Sequence, residues 1–244
     1  MSISARQDQI LKIVGEETFV TVNDLASLTY TSPSSIRRDL ARLQNMGLVK
    51  RSHGGVSLPE TGGSVAGYYK RATKSIKEKR AIAKKAAALL RDGQNILLDS
   101  STTAGFLLPY IAELHSATVF TNNLETALSA IKLGIRTHCL GGCAVNGSAA
   151  LAGAETYRAL SGIHADILFC SSQSLSRDGV ISDSTEEENY ARLLMMAQAE
   201  TTVFLCDSTK FDDRSLYTLD SIDSMDYAVF DRPFEGLVTK ARLL

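Results

Sequence analysis

Ser32-Pro33-Ser34-Ser35-Ile36-Arg37-Arg38-Asp39-Leu40-Ala41-Arg42-Leu43 decides how the front of this 244-residue chain folds. Ser32 is a good N-cap, and Pro33 at the first helical position loses no hydrogen bond because its N–H would be unpaired there anyway. Gly47, after Met46, supplies the stop. Ile36, Leu40 and Leu43 fall at i, i+4 and i+7 and form one buried stripe. The opposite face then carries Ser34, Ser35, Arg37, Arg38, Ala41 and Arg42. Small hydroxyl residues allow close approach to a major groove, and guanidiniums pair with guanine edges or phosphates. Taken alone, the same face also fits an exposed helix with a few charges.

The flanking segments bear on that choice. Ile10, Leu11, Ile13 and Val14 give an apolar helical face between Arg6 and Gly15, and Thr21 with Asp24 reads as the capped start of a second short helix ending near Leu28. Only Thr29-Tyr30-Thr31 separates it from the third, the spacing of a helix-turn-helix. Leu48 to Arg51 and Val56 to Leu58 read as two short strands joined through Ser52-His53-Gly54-Gly55. That is a wing, with Lys50, Arg51 and His53 beside phosphates or the minor groove. His53 has no second ligand near it in sequence and is a contact residue rather than a metal ligand.

Ser-Ile-Arg-Arg-Asp-Leu (35–40), followed by Leu43, Gly47, Leu48 and Arg-Ser-His-Gly-Gly (51–55), resembles the DeoR-type regulators. The resemblance implies that the third helix reads an operator through Ser34, Ser35, Arg37 and Arg38. It continues through the rest of the chain.

Pro59 to Ser64 is a run of turn-formers, so residues 1–58 are expected as a winged helix-turn-helix head, 59–73 as a linker and 74–244 as the body. In the body Ile76 to Leu90 is an Ala-rich amphipathic helix. Short apolar runs then alternate with helical segments: Asn95 to Leu98, Ala117 to Thr121, Arg136 to Leu140, Ala165 to Cys170, Thr202 to Cys206 and Tyr227 to Phe230. This pattern predicts an α/β domain with a mostly parallel sheet covered on both faces.

Ligands of such sheets bind beyond the carboxyl ends of the strands. The residues there are Asp99-Ser100-Ser101-Thr102-Thr103, Asn122-Asn123, Gly141-Gly142 and Asp207-Ser208-Thr209-Lys210. Hydroxyls and free N–H groups before a helix suit a phosphate, and Lys210 supplies a cation. For Ser101, Thr102 and Thr103 helix capping is an equal alternative, and Gly141-Gly142 also fits a plain tight turn. The regulators' sensor domain is similar to sugar-phosphate isomerases. The resemblance implies that Asp99, Ser101, Thr102, Thr103, Asn122, Gly141, Gly142 and Lys210 bind a phosphorylated sugar. Ser101 stands where the family usually has Gly, and Ser171 to Ser174 replace a glycine-bearing loop, which makes Gln173 a candidate specificity residue. The family's acidic residue is best matched by Glu187, although Glu186 to Glu188 also suit a helix N-terminus by themselves.

The bulk composition fits a cytoplasmic regulator. No apolar run approaches the roughly 20 residues that span a bilayer, and the polar start lacks a signal-peptide core. Residues 1–58 carry seven Lys/Arg against five Asp/Glu, residues 59–91 nine against two, and residues 92–244 ten against twenty. A basic front on an acidic back suits a polyanion-binding head, although most lysines of 70–91 belong to the solvated side of a helix. Cys139, Cys143, Cys170 and Cys206 are expected as buried thiols rather than disulfides. The leading expectation is a homo-oligomeric repressor of a carbohydrate operon, binding double-stranded operator DNA and released by a sugar phosphate, without metal or cofactor. A sugar-phosphate isomerase with Asp99 or Glu187 as base is the second reading, and a protein-binding adaptor the third.

Overall fold

The computed structural model describes residues 4–17, 19–46, 48–52, 54–57, 66–145 and 148–244. Gly47 and His53 lie outside them. The chain divides into two compact units, residues 1–74 with 146–148, and the remainder.

In the first unit α1 (Ala5–Glu16), β1 (Val20–Thr21), α2 (Val22–Leu28) and α3 (Pro33–Asn45) precede a wing of β2 (Lys50–Ser52) and β3 (Gly55–Ser57). The caps expected at Thr21 and Ser32 are made, and α1 has one the sequence reading did not name. Ser4 and Gln7 form a reciprocal capping box, Thr21 accepts from the Asp24 N–H, and Ser32 accepts from the Ser35 N–H. The strands form one antiparallel sheet in the order β1-β3-β2. Gly54 turns the wing at φ +82°, and a side chain at Gly55 would collide with the Val20 carbonyl and the Phe19 ring. Ile10, Leu11, Val14, Leu25, Ile36, Leu40, Leu43 and Val56 fill the core.

The stretch expected as a linker differs in its second half. Ala66–Thr73 form helix α4, which packs on α1, with Tyr69 against the core of this unit. Gly15 permits the approach, since a Cβ there would stand 2.0 Å from the Thr73 hydroxyl. Turn-formers mark only 59–64 in the sequence, and the residues that follow them form the helix.

The second unit runs α5 (Ile76–Ala86), β4 (Asn95–Leu98), α6 (Thr102–Gly105), α7 (Leu108–Ile111), β5 (Thr118–Thr121), α8 (Leu124–Lys132), β6 (Arg136–Cys139), β7 (Cys143–Ala144), β8 (Leu151–Ala152) and α9 (Ala154–Ser161). It continues with β9 (Ala165–Cys170), β10 (Ser174–Leu175), β11 (Val180–Asp183), α10 (Glu186–Ala197), β12 (Ala199–Cys206), β13 (Tyr217–Ser221), β14 (Tyr227–Phe230) and β15 (Arg242–Leu243). Seven strands form one parallel sheet in the order β15-β14-β12-β9-β4-β5-β6.

Alternation along its strands divides the core in two. Ile96, Leu98, Ile167, Phe169, Val203 and Leu205 face one side, while Leu97, Leu168, Cys170, Phe204 and Cys206 face the other. Both faces are therefore apolar and covered, as a parallel sheet requires. From β4 the chain adds β5 and β6 on one side, then crosses to place β9 on the other. The carboxyl ends of β4 and β9 thus flank the point where strand order reverses, the place such sheets use for ligands.

Cys170 and Cys206 are buried in these strands, whereas Cys139 and Cys143 are exposed. The expectation of four buried thiols fails for that pair because Cys139 ends β6, the outer strand of the large sheet, and Cys143 lies on β7 of the small two-stranded sheet. All four are free.

Candidate functional site

On α3 the stripe of Ile36, Leu40 and Leu43 is buried, which leaves Ser34, Arg37, Arg38 and Arg42 exposed and Ser35 half-exposed. The Ser32 hydroxyl lies 3.0 Å from that of Ser34 and donates to that of Ser35 at 3.1 Å. Lys50 and Arg51 are exposed on β2. Asp39, in the middle of the arginine motif, turns inward. Its carboxylate accepts from Arg6 Nε at 2.6 Å and Gln7 Nε2 at 3.1 Å, and so ties α3 to α1. The hydrogen bond and charge of Asp39 raise the Arg6 pKa above its ordinary value against a small cost of burial. Motif residues with opposite charges therefore divide their work. The carboxylate orients the helix and the guanidiniums beside it stay free to meet a polyanion.

At the strand ends of the second unit a connected polar cluster surrounds Arg192 of α10. This guanidinium is 2% exposed and donates from Nε to Asp99 Oδ2 at 2.8 Å. It also lies 3.3 Å from Asp183 and 3.8 Å from Glu188, and donates to Asn189 Oδ1 at 2.8 Å. Burial opposes its charge, but the carboxylates of Asp99, Asp183 and Glu188 outweigh that and hold its pKa above the ordinary value. Asp99 further accepts from the backbone N–H groups of Ser101 and Ser171, at 3.1 and 3.2 Å. It thereby joins the loop after β4 to the loop after β9.

The cluster extends both ways from there. Ser100 Oγ donates to Glu188 Oε2 at 2.6 Å, and its carbonyl accepts from Asn123 Nδ2 at 3.0 Å. Lys210 Nζ donates to Ser171 Oγ at 2.9 Å and to the Ser172 carbonyl at 2.8 Å, with Asp207 at 3.7 Å. Its side chain is 20% exposed, against 2% for that of Arg192. Lys79 of α5, itself buried, donates to Thr102 Oγ1 at 3.1 Å.

The expected residues are placed unevenly. Asp99, Ser101, Thr102, Thr103 and Lys210 stand at the ends of β4 and β12 beside the cluster. Ser101 caps α6 by accepting from the Ala104 N–H. Asn122 is held by the Leu151 carbonyl, and the carbonyl of Gly141 by Thr156 Oγ1 at 2.6 Å. Gly142 adopts φ +110°, and a Cβ there would lie 2.1 Å from the Thr156 hydroxyl. That pair is therefore a constrained turn in its own right. Gln173 is exposed with no hydrogen bond among the described residues.

Glu187 is also exposed, and Glu188 is the acid that joins the cluster. The spacing of Glu188 and Arg192, one helical turn apart, was the signal for this pairing. Arg192 itself was hidden within a run of apolar residues that reads as plain core. Among the described residues no group of His, Cys, Asp and Glu side chains is placed to hold a metal ion. No helix among them is long and apolar enough to cross a membrane.

Together the two units make a regulator of transcription: a winged helix-turn-helix with an open basic face, carried with an α/β domain whose polar cluster sits at a ligand-binding position of the sheet. Comparison with known proteins agrees. The DeoR-like helix-turn-helix domain matches residues 6–62, and the DeoR C terminal sensor domain matches residues 74–232. The chain is 30% identical to the HTH-type transcriptional regulator GolR of Listeria innocua over 96% of this chain and 93% of that protein. It is 32% identical to the lactose phosphotransferase system repressor of Staphylococcus epidermidis over 87% of this chain and 86% of the repressor. Among solved structures, eIF2B delta from Chaetomium thermophilum shares the fold at TM-score 0.50 and 17% identity, over 66% of this chain and 58% of that one. This chain belongs to the DeoR family of DNA-binding transcriptional regulators.

Proposed function

We infer that this regulator is a cytoplasmic, homo-oligomeric repressor of a carbohydrate-use operon, and that a phosphorylated sugar bound at the ends of β4, β9 and β12 releases it from DNA. The observation that carries the effector's class is Lys210. Its side chain is more exposed than that of Arg192 or Lys79, and it is held by Ser171 and Ser172 at the point where strand order reverses. A phosphate there meets one ammonium together with the hydroxyls and N–H groups of the Ser101 to Thr103 loop. Arg192 serves a different purpose, because three carboxylates already neutralise it.

On this reading Ser34, Ser35, Arg37, Arg38 and Arg42 contact the operator from α3, and Lys50 and Arg51 from the wing. His53, outside the described residues, is assigned to the same wing. Short recognition helices read limited sequence, so paired heads on a symmetric site supply the specificity. The repressor named among the relatives acts on a lactose phosphotransferase system, which supports the sugar assignment.

The body works by binding, without turnover. Asp99 is 1% exposed and both its oxygens are engaged, which denies it to a substrate as a general base. A ribose 5-phosphate isomerase assay on the purified protein should therefore show no activity above background.

The function is tested by thermal shift against sugar phosphates, with the unphosphorylated sugars as controls. A ligand at 100 times its dissociation constant adds about 2.7 kcal/mol. The phosphorylated hit should then release a fluorescent operator fragment in an anisotropy titration. Stabilisation by the free sugars alone would remove the phosphate from this reading and leave only the DNA-binding head.

A further inference from the structure

The turn between α2 and α3 holds a side chain that the fold alone does not account for. Helix α2 ends in the paired hydrogen bonds of a Schellman turn: the Thr31 N–H donates to the Ala26 carbonyl at 2.9 Å and the Tyr30 N–H to the Ser27 carbonyl at 3.3 Å. Tyr30 thus occupies the left-handed position of that turn, at φ +52°, where glycine or asparagine is the usual occupant and a bulky side chain is strained. The residue is 97% exposed, and its hydroxyl makes no hydrogen bond among the described residues. Nothing among them offsets the strain. Strain kept at an exposed position points to a function outside the chain.

We propose that Tyr30 is a contact to the DNA backbone, its hydroxyl donating to a phosphate oxygen beside the groove that α3 enters. The proposal rests on the docking of α3 in the reading above and adds a residue to it. Helix-turn-helix proteins set the N-terminal end of the recognition helix against the bases. Tyr30 lies two residues before Ser32, which caps that end of α3, and the exposed Ser34, Arg37 and Arg38 follow within two turns. A side chain projecting there meets the phosphates that wall the groove, and tyrosine is among the residues that bind them.

This contact has a signature that the arginines lack. The hydroxyl is neutral, so it releases no counterion and leaves the salt dependence of binding unchanged. A phosphate contact also carries no sequence information, so its loss weakens all duplexes alike.

Fluorescence anisotropy of the full-length protein tests the proposal on two labelled duplexes of equal length, one selected from a random library by the wild-type protein and one with that sequence scrambled. Tyr30→Phe should raise the dissociation constant for both by about tenfold, the loss of a hydrogen bond to a charged group. The slope of log affinity against log salt should stay at the wild-type value, whereas Arg38→Ala should lower it by about one. Tyr30→Gly should bind as weakly as Tyr30→Phe and melt no lower than wild type, because glycine relieves the left-handed strain. A phenylalanine variant that binds both duplexes as wild type overturns the proposal, and so does a glycine variant that melts lower, which would give the ring a structural role. A loss confined to the selected duplex makes the hydroxyl a base contact, and a reduced slope means that the arginines have been displaced; either result overturns the phosphate assignment. Binding indifferent to Arg38→Ala removes α3 from the groove, and the reading beneath the proposal then fails as well.

Discussion

The guanidinium of Arg192 and the carboxylate of Asp99 meet at 2.8 Å with both side chains 2% exposed. Arg192 also faces Asp183 and Glu188, so it is the one cation shared by three carboxylates. Arg192→Leu leaves Asp99, Asp183 and Glu188 facing one another without a cation, and should destabilise the body by about 3–5 kcal/mol. Arg192→Lys keeps the charge but loses the planar fork, and should fall between that variant and wild type. Urea denaturation followed by circular dichroism checks the order, and an Arg192→Leu protein as stable as wild type would show that the cluster is held elsewhere.

Asp39 makes the corresponding link in the head. Asp39→Ala removes the acceptor of Arg6 and Gln7 from between α1 and α3. Because Arg6 is 46% exposed, water recovers part of its loss. The expected cost is about 1–2 kcal/mol, coming mainly from the buried Gln7 amide left without its partner. Operator affinity should fall as well, since α3 loses its fixed angle, and the fall should be partly reversed in Asp39→Asn.

Gly142→Ala tests the turn after β6. A methyl group there meets the Thr156 hydroxyl and the Ala152 carbonyl while the backbone stays at φ +110°. Strain of this kind costs about 1–3 kcal/mol. The variant should therefore melt below wild type, and Gly134→Ala is the informative control. That position has φ +78° with open space around it, so it reports the backbone term alone.

Burial raises the pKa of the Cys206 thiol from 9.0 to about 12, and that of Cys170 in the same direction. The folded state then holds protons that the unfolded chain releases above pH 9. Stability from these thiols is complete below that pH and declines as pH rises through 9 towards 12. Each site sets a slope of about 1.4 kcal/mol per pH unit within its window. Cys206→Ala should flatten the alkaline fall in melting temperature even as the lost packing lowers the whole curve. A slope unchanged in that variant would exclude Cys206 as its source.

Local signals carried much of the architecture. Pro33 after Ser32 fixed the start of α3, and the apolar runs Asn95 to Leu98, Ala165 to Cys170 and Tyr227 to Phe230 became strands with those bounds. The small antiparallel sheet of β10, β11 and β13 left no such trace, because its strands are short and their pairing spans about 40 residues of chain. The cluster was half legible. Asp99 and Lys210 stand directly after strands, where the fold places ligands, but Arg192 and Asp183 reach the same point from α10 and β11. Only the folded chain brings them there. Glu187 matches the family position and is exposed, while helix phase puts its neighbour Glu188 on Ser100 and Arg192.

Helix α4 bears on how such regulators can exchange parts. A head moved from this chain onto a foreign sensor, if cut where the wing ends, would leave behind Tyr69 and the Thr73 that sits over Gly15. It would arrive with a bare patch on α1 and a tendency to aggregate. A seam after Lys74 keeps that surface covered, so chimeras joined there should stay in solution where shorter ones precipitate.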